Sequence, residues 1–257
     1  MTNDEFIEKL NIILEKVGDA IGDDEYMDYI IVSSDPDCDA DIGIDENGFL
    51  TIRRKKTYLS VSDVIAIKYR ARLDESSTID GYVRFICKDN IEARFDLDNF
   101  FKCTEITIDG RTFYQSACDI ITSKDFNGEK DFWLNNKGDE ILFYRDQGNS
   151  KKVIIPEGVV KIAPHAFQGA AIEELVTSNT LKCIGSWAFE NCKSLKKIDL
   201  KMVEEIDNWA FYKCDSLCGK IEIPSSMRKI SEKAFPSNLS GEDFINHSSI
   251  DIFKCLG

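Results

Sequence analysis

Histidine is scarce in this 257-residue chain, which has only His165 and His247. Acid–base or zinc chemistry that leans on imidazole is therefore poorly provided for. The local signatures GxSxG, HExxH and GxxxxGK[ST] are all missing, so no nucleophile elbow, zincin helix or phosphate loop announces itself. Cys214 and Cys218 have the wrong spacing for a zinc knuckle and no second pair. No apolar run approaches the roughly 18 residues of a membrane helix. The opening MTNDEFIEKLNIILEKVGDA carries acids where an export signal carries bases. The nine cysteines are odd in number and scattered, which suits reduced thiols in a cytoplasm better than a disulfide framework. Carboxylates are too abundant for any close pair to be diagnostic of glycosidase chemistry. The expectation is a non-enzymatic, cytoplasmic protein without a cofactor.

Basic residues are nearly absent from the first 48 positions, where Lys9 and Lys16 face fifteen Asp or Glu; almost the whole net charge of −14 sits there. A segment this negative repels nucleic acid and anionic lipid and attracts basic proteins and divalent cations. Nucleic-acid binding and membrane insertion are thereby disfavoured.

What the chain has is a repeat. An isoleucine followed four residues later by Ala-Phe occurs at Ile162 with Ala166-Phe167, Ile184 with Ala188-Phe189, Ile206 with Ala210-Phe211 and Ile230 with Ala234-Phe235, in steps of 22, 22 and 24. Val159, Leu181, Val203 and Met227 stand three positions before the isoleucines, and Ala170, Cys192, Cys214 and Asn238 three after the phenylalanines. A fixed step of this size means stacked supersecondary units that close their core only against neighbours. The Ala-Phe stretch is too short for a free helix and is expected to form one helical or 3₁₀ turn. KVIIP, ELVTS, KIDLK and KIEIP alternate apolar with polar residues and predict strands forming a parallel ladder.

Ile155-Pro156, Ile184-Gly185, the four Ala-Phe pairs, Cys192 with Leu195, Cys214 with Leu217, and Ile223-Pro224 together resemble the BspA-like leucine-rich repeats. The likeness covers about residues 139–240. It implies a right-handed solenoid with strands on one face and, in the family, protein binding or adhesion at bacterial surfaces. Two departures stand out: no export signal is visible, and Ala170 replaces the cysteine in the first repeat. A cell-surface location is accordingly the alternative to a cytoplasmic one. After Phe235 the pattern dissolves into an expected cap.

Outward strand residues should line up one unit apart, Lys152, Glu174, Lys197 and Lys220 in one column and Ile154, Val176, Asp199 and Glu222 in the next. These are the candidate partner contacts, alongside a reading as ordinary solvated strand residues. Trp187 and Trp209 share a register with His165 and Lys233; they read either as a recognition patch or as a half-buried core edge.

The remainder, 1–138, is expected to be a separate acidic α+β domain, with the solenoid and its cap at 139–257. Phe6, Ile7, Leu10, Ile13, Leu14 and Val17 keep helical spacing, with Thr2 or Asn3 as cap. YIIV, FLTI, VIAIKYRARL, YVRFIC, IEARFDL, EITI and RTFY follow with period two, and Asn47-Gly48, Asp80-Gly81 and Asp109-Gly110 supply hairpin turns. A second helix is expected within TFYQSACDIITSKDF. An antiparallel sheet packed by one or two helices results. Asp35, Asp37, Asp39, Asp41 and Glu46 have the spacing of a calcium-binding EF-hand loop, but Ala40 replaces its turn glycine and strand-like segments flank it. A solvated acidic hairpin loop is the competing reading.

The chain thus reads as a module binding a protein partner through the repeat strands, the acidic segment, or both. An intracellular inhibitor capping a toxin's basic active site and a surface adhesin are the alternatives.

Overall fold

The structure is a computed structural model describing residues 1–21, 32–33, 40–52, 55–73, 79–97, 102–114, 116–126, 131–146, 148 and 151–252. The chain divides into two compact units, Met1–Asn127 and Gly128–Gly257.

In the first unit, helix α1 (Asn3–Ile21) buries Phe6, Leu10, Ile13, Leu14 and Val17. Of the two expected caps it is Thr2 that acts: its hydroxyl accepts the Glu5 amide at 3.2 Å, and the Glu5 carboxylate accepts the Thr2 amide at 2.9 Å. That reciprocal pair is a capping box. A small sheet runs β1 (Val32–Ser33), β2 (Ile42–Ile44), β3 (Phe49–Ile52), β4 (Lys55–Ser60). A five-stranded antiparallel meander follows in chain order: β5 (Val64–Leu73), β6 (Ile79–Cys87), β7 (Ile91–Asp96), β8 (Lys102–Ile108) and β9 (Arg111–Phe113). Alternation on β7 turns Ile91, Ala93 and Phe95 inward and leaves Glu92, Arg94 and Asp96 half-buried. Phe6 of α1 meets Phe85 at 5.3 Å, and Phe85 meets Phe95 at 5.1 Å, so the helix closes one face of the meander. On β6–β8, Arg84 bridges Glu92 and Glu105 at 3.2 and 2.9 Å, and Arg94 lies 4.4 Å over the Tyr82 ring. Helix α2 (Ala117–Thr122), shorter than the segment expected to hold it, packs on β8.

Two hairpin dipeptides turn as expected, at Gly48 (φ 80°) and at Asp109-Gly110 (φ 49° and 77°). Asp80-Gly81 does not: both lie inside β6. A Cβ on Gly81 would come within 2.6 Å of a Leu97 methyl and 3.0 Å of the Arg70 carbonyl, so this glycine serves close packing, not a turn. The β6–β7 turn instead uses Asp89 and Asn90, both left-handed at φ 57° and 55°, a conformation that Asn and Asp tolerate better than most residues.

The second unit opens with the hairpin β10 (Phe132–Leu134) and β11 (Glu140–Tyr144), turned at Asn135, whose side-chain oxygen accepts the Gly138 amide at 2.9 Å. Each following coil contributes two short strands. The expected ladder is β12 (Lys152–Ile154), β14 (Glu174–Val176) and β16 (Lys197–Asp199), parallel and in register. A second ladder runs from β11 through β13 (Lys161–Ile162), β15 (Cys183–Ile184), β17 (Glu205–Ile206) and β19 (Lys229–Ile230). The fourth expected strand, β18 (Ile221–Ile223), leaves the first ladder and pairs with β20 (Phe244–Asn246) of the cap.

The Ala-Phe stretches are not the helical turns their length suggested. The residue before each Ala is left-handed, at His165, Trp187, Trp209 and Lys233 (φ 54–61°), as are Gly169, Asn191 and Lys213 two places after the Phe. This geometry turns alternate amides toward the next coil. Phe167 donates to the Ala188 carbonyl at 2.7 Å, Phe189 to Ala210 at 2.8 Å and Phe211 to Ala234 at 2.7 Å. A helical turn would spend those amides within its own coil. The rings stack as a file from Tyr144 through Phe167, Phe189 and Phe211 to Phe235, at 4.7, 4.6, 5.1 and 5.5 Å, and Phe244 closes it edge-on at 5.0 Å. Cys192 and Cys214 donate their thiols to the carbonyls of Phe167 and Phe189 at 3.1 and 3.0 Å, which accounts for a buried cysteine three places after the ring. No helix among the described residues is long and apolar enough to cross a membrane.

Phe189→Ala should lower unfolding free energy by about 3–5 kcal/mol, because it removes a buried ring and leaves a cavity in mid-stack. Met202→Ala, at an exposed position, should stay within about 0.5 kcal/mol; urea titration of both variants checks the contrast.

Candidate functional site

The strand face of β12, β14 and β16 carries the expected columns. Lys152 stands opposite Glu174, and Glu174 opposite Lys197; Ile154 faces Val176, and Val176 faces Asp199. Lys152 and Glu174 satisfy one another at 2.8 Å. Beside them Glu173 accepts both Lys196 at 2.9 Å and Lys151 at 3.1 Å, and the pair holds its carboxyl below the ordinary carboxylate range. Much of the surface charge thus binds coil to coil, at the small value exposed pairs have. Ile154 is 59% exposed, and with half-buried Val176 it forms a small apolar centre inside this charged frame.

Beyond β16 the columns do not continue as a ladder. Among the described residues no strand pairing joins β16 to β18, although Cys218 still donates to the Lys196 carbonyl at 3.2 Å just before they part. The parting leaves a groove of about 380 Å³ lined by Ile198, Asp199, Leu200, Lys201, Lys220, Glu222, Pro224 and His247. Of the expected contact residues, the structure brings Asp199, Lys220 and Glu222 together here. Lys197 lies next to the groove on β16, and Lys152 and Glu174 lie farther along the ladder. Asp199 accepts the Lys201 amide at 3.2 Å, and Lys220 donates to the Glu242 carbonyl in the cap. Lys201 and His247 were not anticipated, because one follows its strand and the other sits in the cap, outside the repeat register.

Trp187 and Trp209 stack at 4.8 Å and 13°, with His165 at 5.4 Å from Trp187. All three are half-buried. Both faces of Trp187 are spent on His165 and Trp209, so only its edge is open to a partner. The second ladder also bears outward charge: Lys161 pairs with Glu140 at 2.8 Å, Lys229 with Asp207 at 3.0 Å, and Glu204 holds Lys182 and Arg228 at 2.9 and 3.2 Å. Two-residue strands give too short an alternation for sequence reading to find it.

Of the calcium-loop candidates, Asp35, Asp37 and Asp39 lie outside the described residues. Asp41 immediately precedes β2, and Glu46 is in the β2–β3 turn, where an EF-hand would begin a helix. Among the described residues no cluster of His, Cys, Asp and Glu could hold a metal ion.

Residues 139–254 match the family model "BspA type Leucine rich repeat region" in six copies. That span is a BspA-type leucine-rich-repeat region, a repeat family and not a catalytic one; residues 1–138 fall outside the match. No curated protein matches the chain. Among solved structures it is similar to the pneumococcal vaccine antigen PcpA, at 21% identity over 42% of this chain and 27% of that one, TM-score 0.39. It is also similar to a leucine-rich repeat protein from Bacteroides capillosus, at 24% identity over 46% and 93%, TM-score 0.40. A third is a leucine rich cell surface protein from Faecalibacterium prausnitzii, at 22% identity over 56% and 46%, TM-score 0.42. The chain spans about a quarter of the pneumococcal antigen and less than half of the Faecalibacterium protein.

The left-handed backbone at Trp187 yields a local test. Glycine enters that region freely whereas alanine does so at about 1 kcal/mol or more. Trp187→Gly should therefore be more stable than Trp187→Ala by about 1 kcal/mol, the reverse of their usual order. Equal stabilities in thermal melts would mean that position 187 is not held left-handed.

Proposed function

We propose that this chain is a non-enzymatic interaction module that binds a protein partner through the strand face of β12, β14 and β16 and the adjoining groove. One observation carries the reading: exposed Ile154 and half-buried Val176 sit in register within a charged frame that runs into a groove lined by Asp199, Lys220 and Glu222. An apolar centre with a polar rim is the usual anatomy of a protein contact. The rigid coil-to-coil pairing beneath it holds these side chains at strand spacing, so little ordering accompanies binding. Lys152 and Glu174 frame the contact while satisfying one another; Lys197, Asp199, Lys220 and Glu222 supply charge selectivity. The edges of Trp187 and Trp209 extend the surface available on the same unit.

A second reading assigns the contact to the acidic end, as in an inhibitor that covers a toxin's basic site. The observation favouring it is the row of exposed acids on α1: Asp4, Glu5, Glu8, Glu15 and Asp19. Binding steered by such a row weakens steeply with salt.

The two separate in one experiment. Proteins retained on the immobilised full chain from its own cells are compared between the parent, an Ile154→Asp/Val176→Asp/Lys197→Glu variant and a variant with the α1 acids changed to Gln or Asn. The strand-face reading expects the first variant to lose its specific partner by about tenfold or more in affinity, with mild salt dependence. Retention of every partner by that variant, with loss in the α1 variant and at raised salt, overturns it in favour of the acidic end.

A further inference from the structure

The N-terminal unit holds two thiols that the interaction reading leaves unused. Cys103 lies on β8 and is buried, whereas Cys118, in the first turn of α2, is half-exposed. α2 buries Ala117, Ile120 and Ile121 beneath itself. That packing brings the Cys118 thiol to 2.7 Å from the Cys103 carbonyl, to which it donates. Cys103 donates its own thiol to the Glu105 carbonyl at 3.7 Å, and the two side chains are close enough to perturb one another's ionisation. We propose that Cys103 and Cys118 form a reversible dithiol–disulfide pair, oxidised by a hydroperoxide, which fastens α2 to β8.

The environment gives the two sulfurs different roles. The neighbouring Cys103 side chain, aided by Lys102 and opposed by partial burial, brings the Cys118 thiol down to about 7. The thiolate, the form that reacts, is therefore reached more readily here than at an ordinary thiol, once the Cys118 proton leaves the Cys103 carbonyl. The Cys118 side chain beside it, with burial, pushes Cys103 well above the ordinary thiol range, so Cys103 keeps its proton until it is needed.

The chemistry then balances in two steps. A Cys118 thiolate lone pair attacks one peroxide oxygen; the S–O bond forms, the O–O bond breaks, and the departing oxygen leaves as water or an alcohol after protonation from solvent. Sulfur has lost two electrons and the peroxide has gained them, leaving Cys118 as a sulfenic acid. Cys103 sulfur next attacks Cys118 sulfur; the S–S bond forms, the S–O bond breaks, and hydroxide departs with the Cys103 proton as water. Two thiols and one hydroperoxide become a disulfide, one water and one further water or alcohol.

The buried thiols elsewhere lack this combination. Cys87 is pushed up to about 12, chiefly by burial, and stays protonated. Cys192 and Cys214 are neighbours in the repeat core, yet both are fully sealed and donate to the carbonyls of Phe167 and Phe189. No oxidant reaches them without opening the stack.

The test uses the folded full chain, treated near pH 7 with hydrogen peroxide, blocked with iodoacetamide, digested and weighed. The expected product is a linked peptide pair containing Cys103 and Cys118, about 2 Da lighter than the two reduced peptides together and released by dithiothreitol. In a Cys103→Ser chain, Cys118 should instead be trapped by dimedone as its sulfenic acid. Without oxidant, iodoacetamide should label Cys118 at least about tenfold faster than Cys87. The proposal is overturned if the parent chain shows Cys118 alkylated or over-oxidised with no link to Cys103, or if other cysteine pairs link as readily. The parent measurement decides even where the variant fails to fold.

Discussion

One file of aromatic rings, from Tyr144 through Phe167, Phe189, Phe211 and Phe235 to Phe244, is what the second unit is built around. Each coil is too thin to bury its own apolar side, so every ring is covered by the ring before it and the ring after it. Stacked aromatic pairs add roughly 0.5–1.5 kcal/mol each beyond the area they bury. The spacing of the file, 4.6 to 5.5 Å, is close to the spacing of hydrogen-bonded strands. Ring stacking and backbone pairing therefore enforce the same repeat, and neither has to stretch for the other.

That shared spacing explains several residues that look unrelated in the sequence. The residue before each Ala is left-handed because only then do the flanking amides reach the next coil. The Ala itself is fully buried at Ala166, Ala188, Ala210 and Ala234, where a larger side chain would hold the coils apart. The Cys192 and Cys214 thiols fill the space beside the rings while satisfying carbonyls of the preceding coil. On the outside, the same translation sets Lys against Glu one coil apart, and it sets Trp187 flat on Trp209. The strand face inherits its regularity from the core. The groove appears where that regularity ends, as β18 turns to the cap strand β20.

How much of this the sequence discloses depends on the range of the interaction involved. A ring recurring every 22 residues is a strong one-dimensional signal, and the register of Lys152 with Glu174 and Lys197 follows from it directly. The capping of α1 and the alternation of β7 are equally local. The second ladder was hidden because its strands are two residues long. The Ala-Phe turns escape local reading because their amides pair with another coil, a non-local competition that propensity does not register. Gly81 looked like a turn residue, yet its reason for being glycine is Leu97, sixteen positions away. His247 reaches the groove only through the cap, and Cys103 meets Cys118 only once α2 lies on β8. Such meetings belong to tertiary structure and leave no spacing to read.

The central claim, that coil-to-coil stacking sustains the solenoid, is tested most directly by native-state hydrogen exchange on the full chain. The amides of Phe167, Phe189 and Phe211 lie in segments with no regular secondary structure but donate to the next coil. The account predicts that they exchange as slowly as the ladder amides of Ile162, Ile184 and Ile206, through a shared opening of the stack. Exchange at the rate of an open loop, while the ladder amides remain protected, would contradict it.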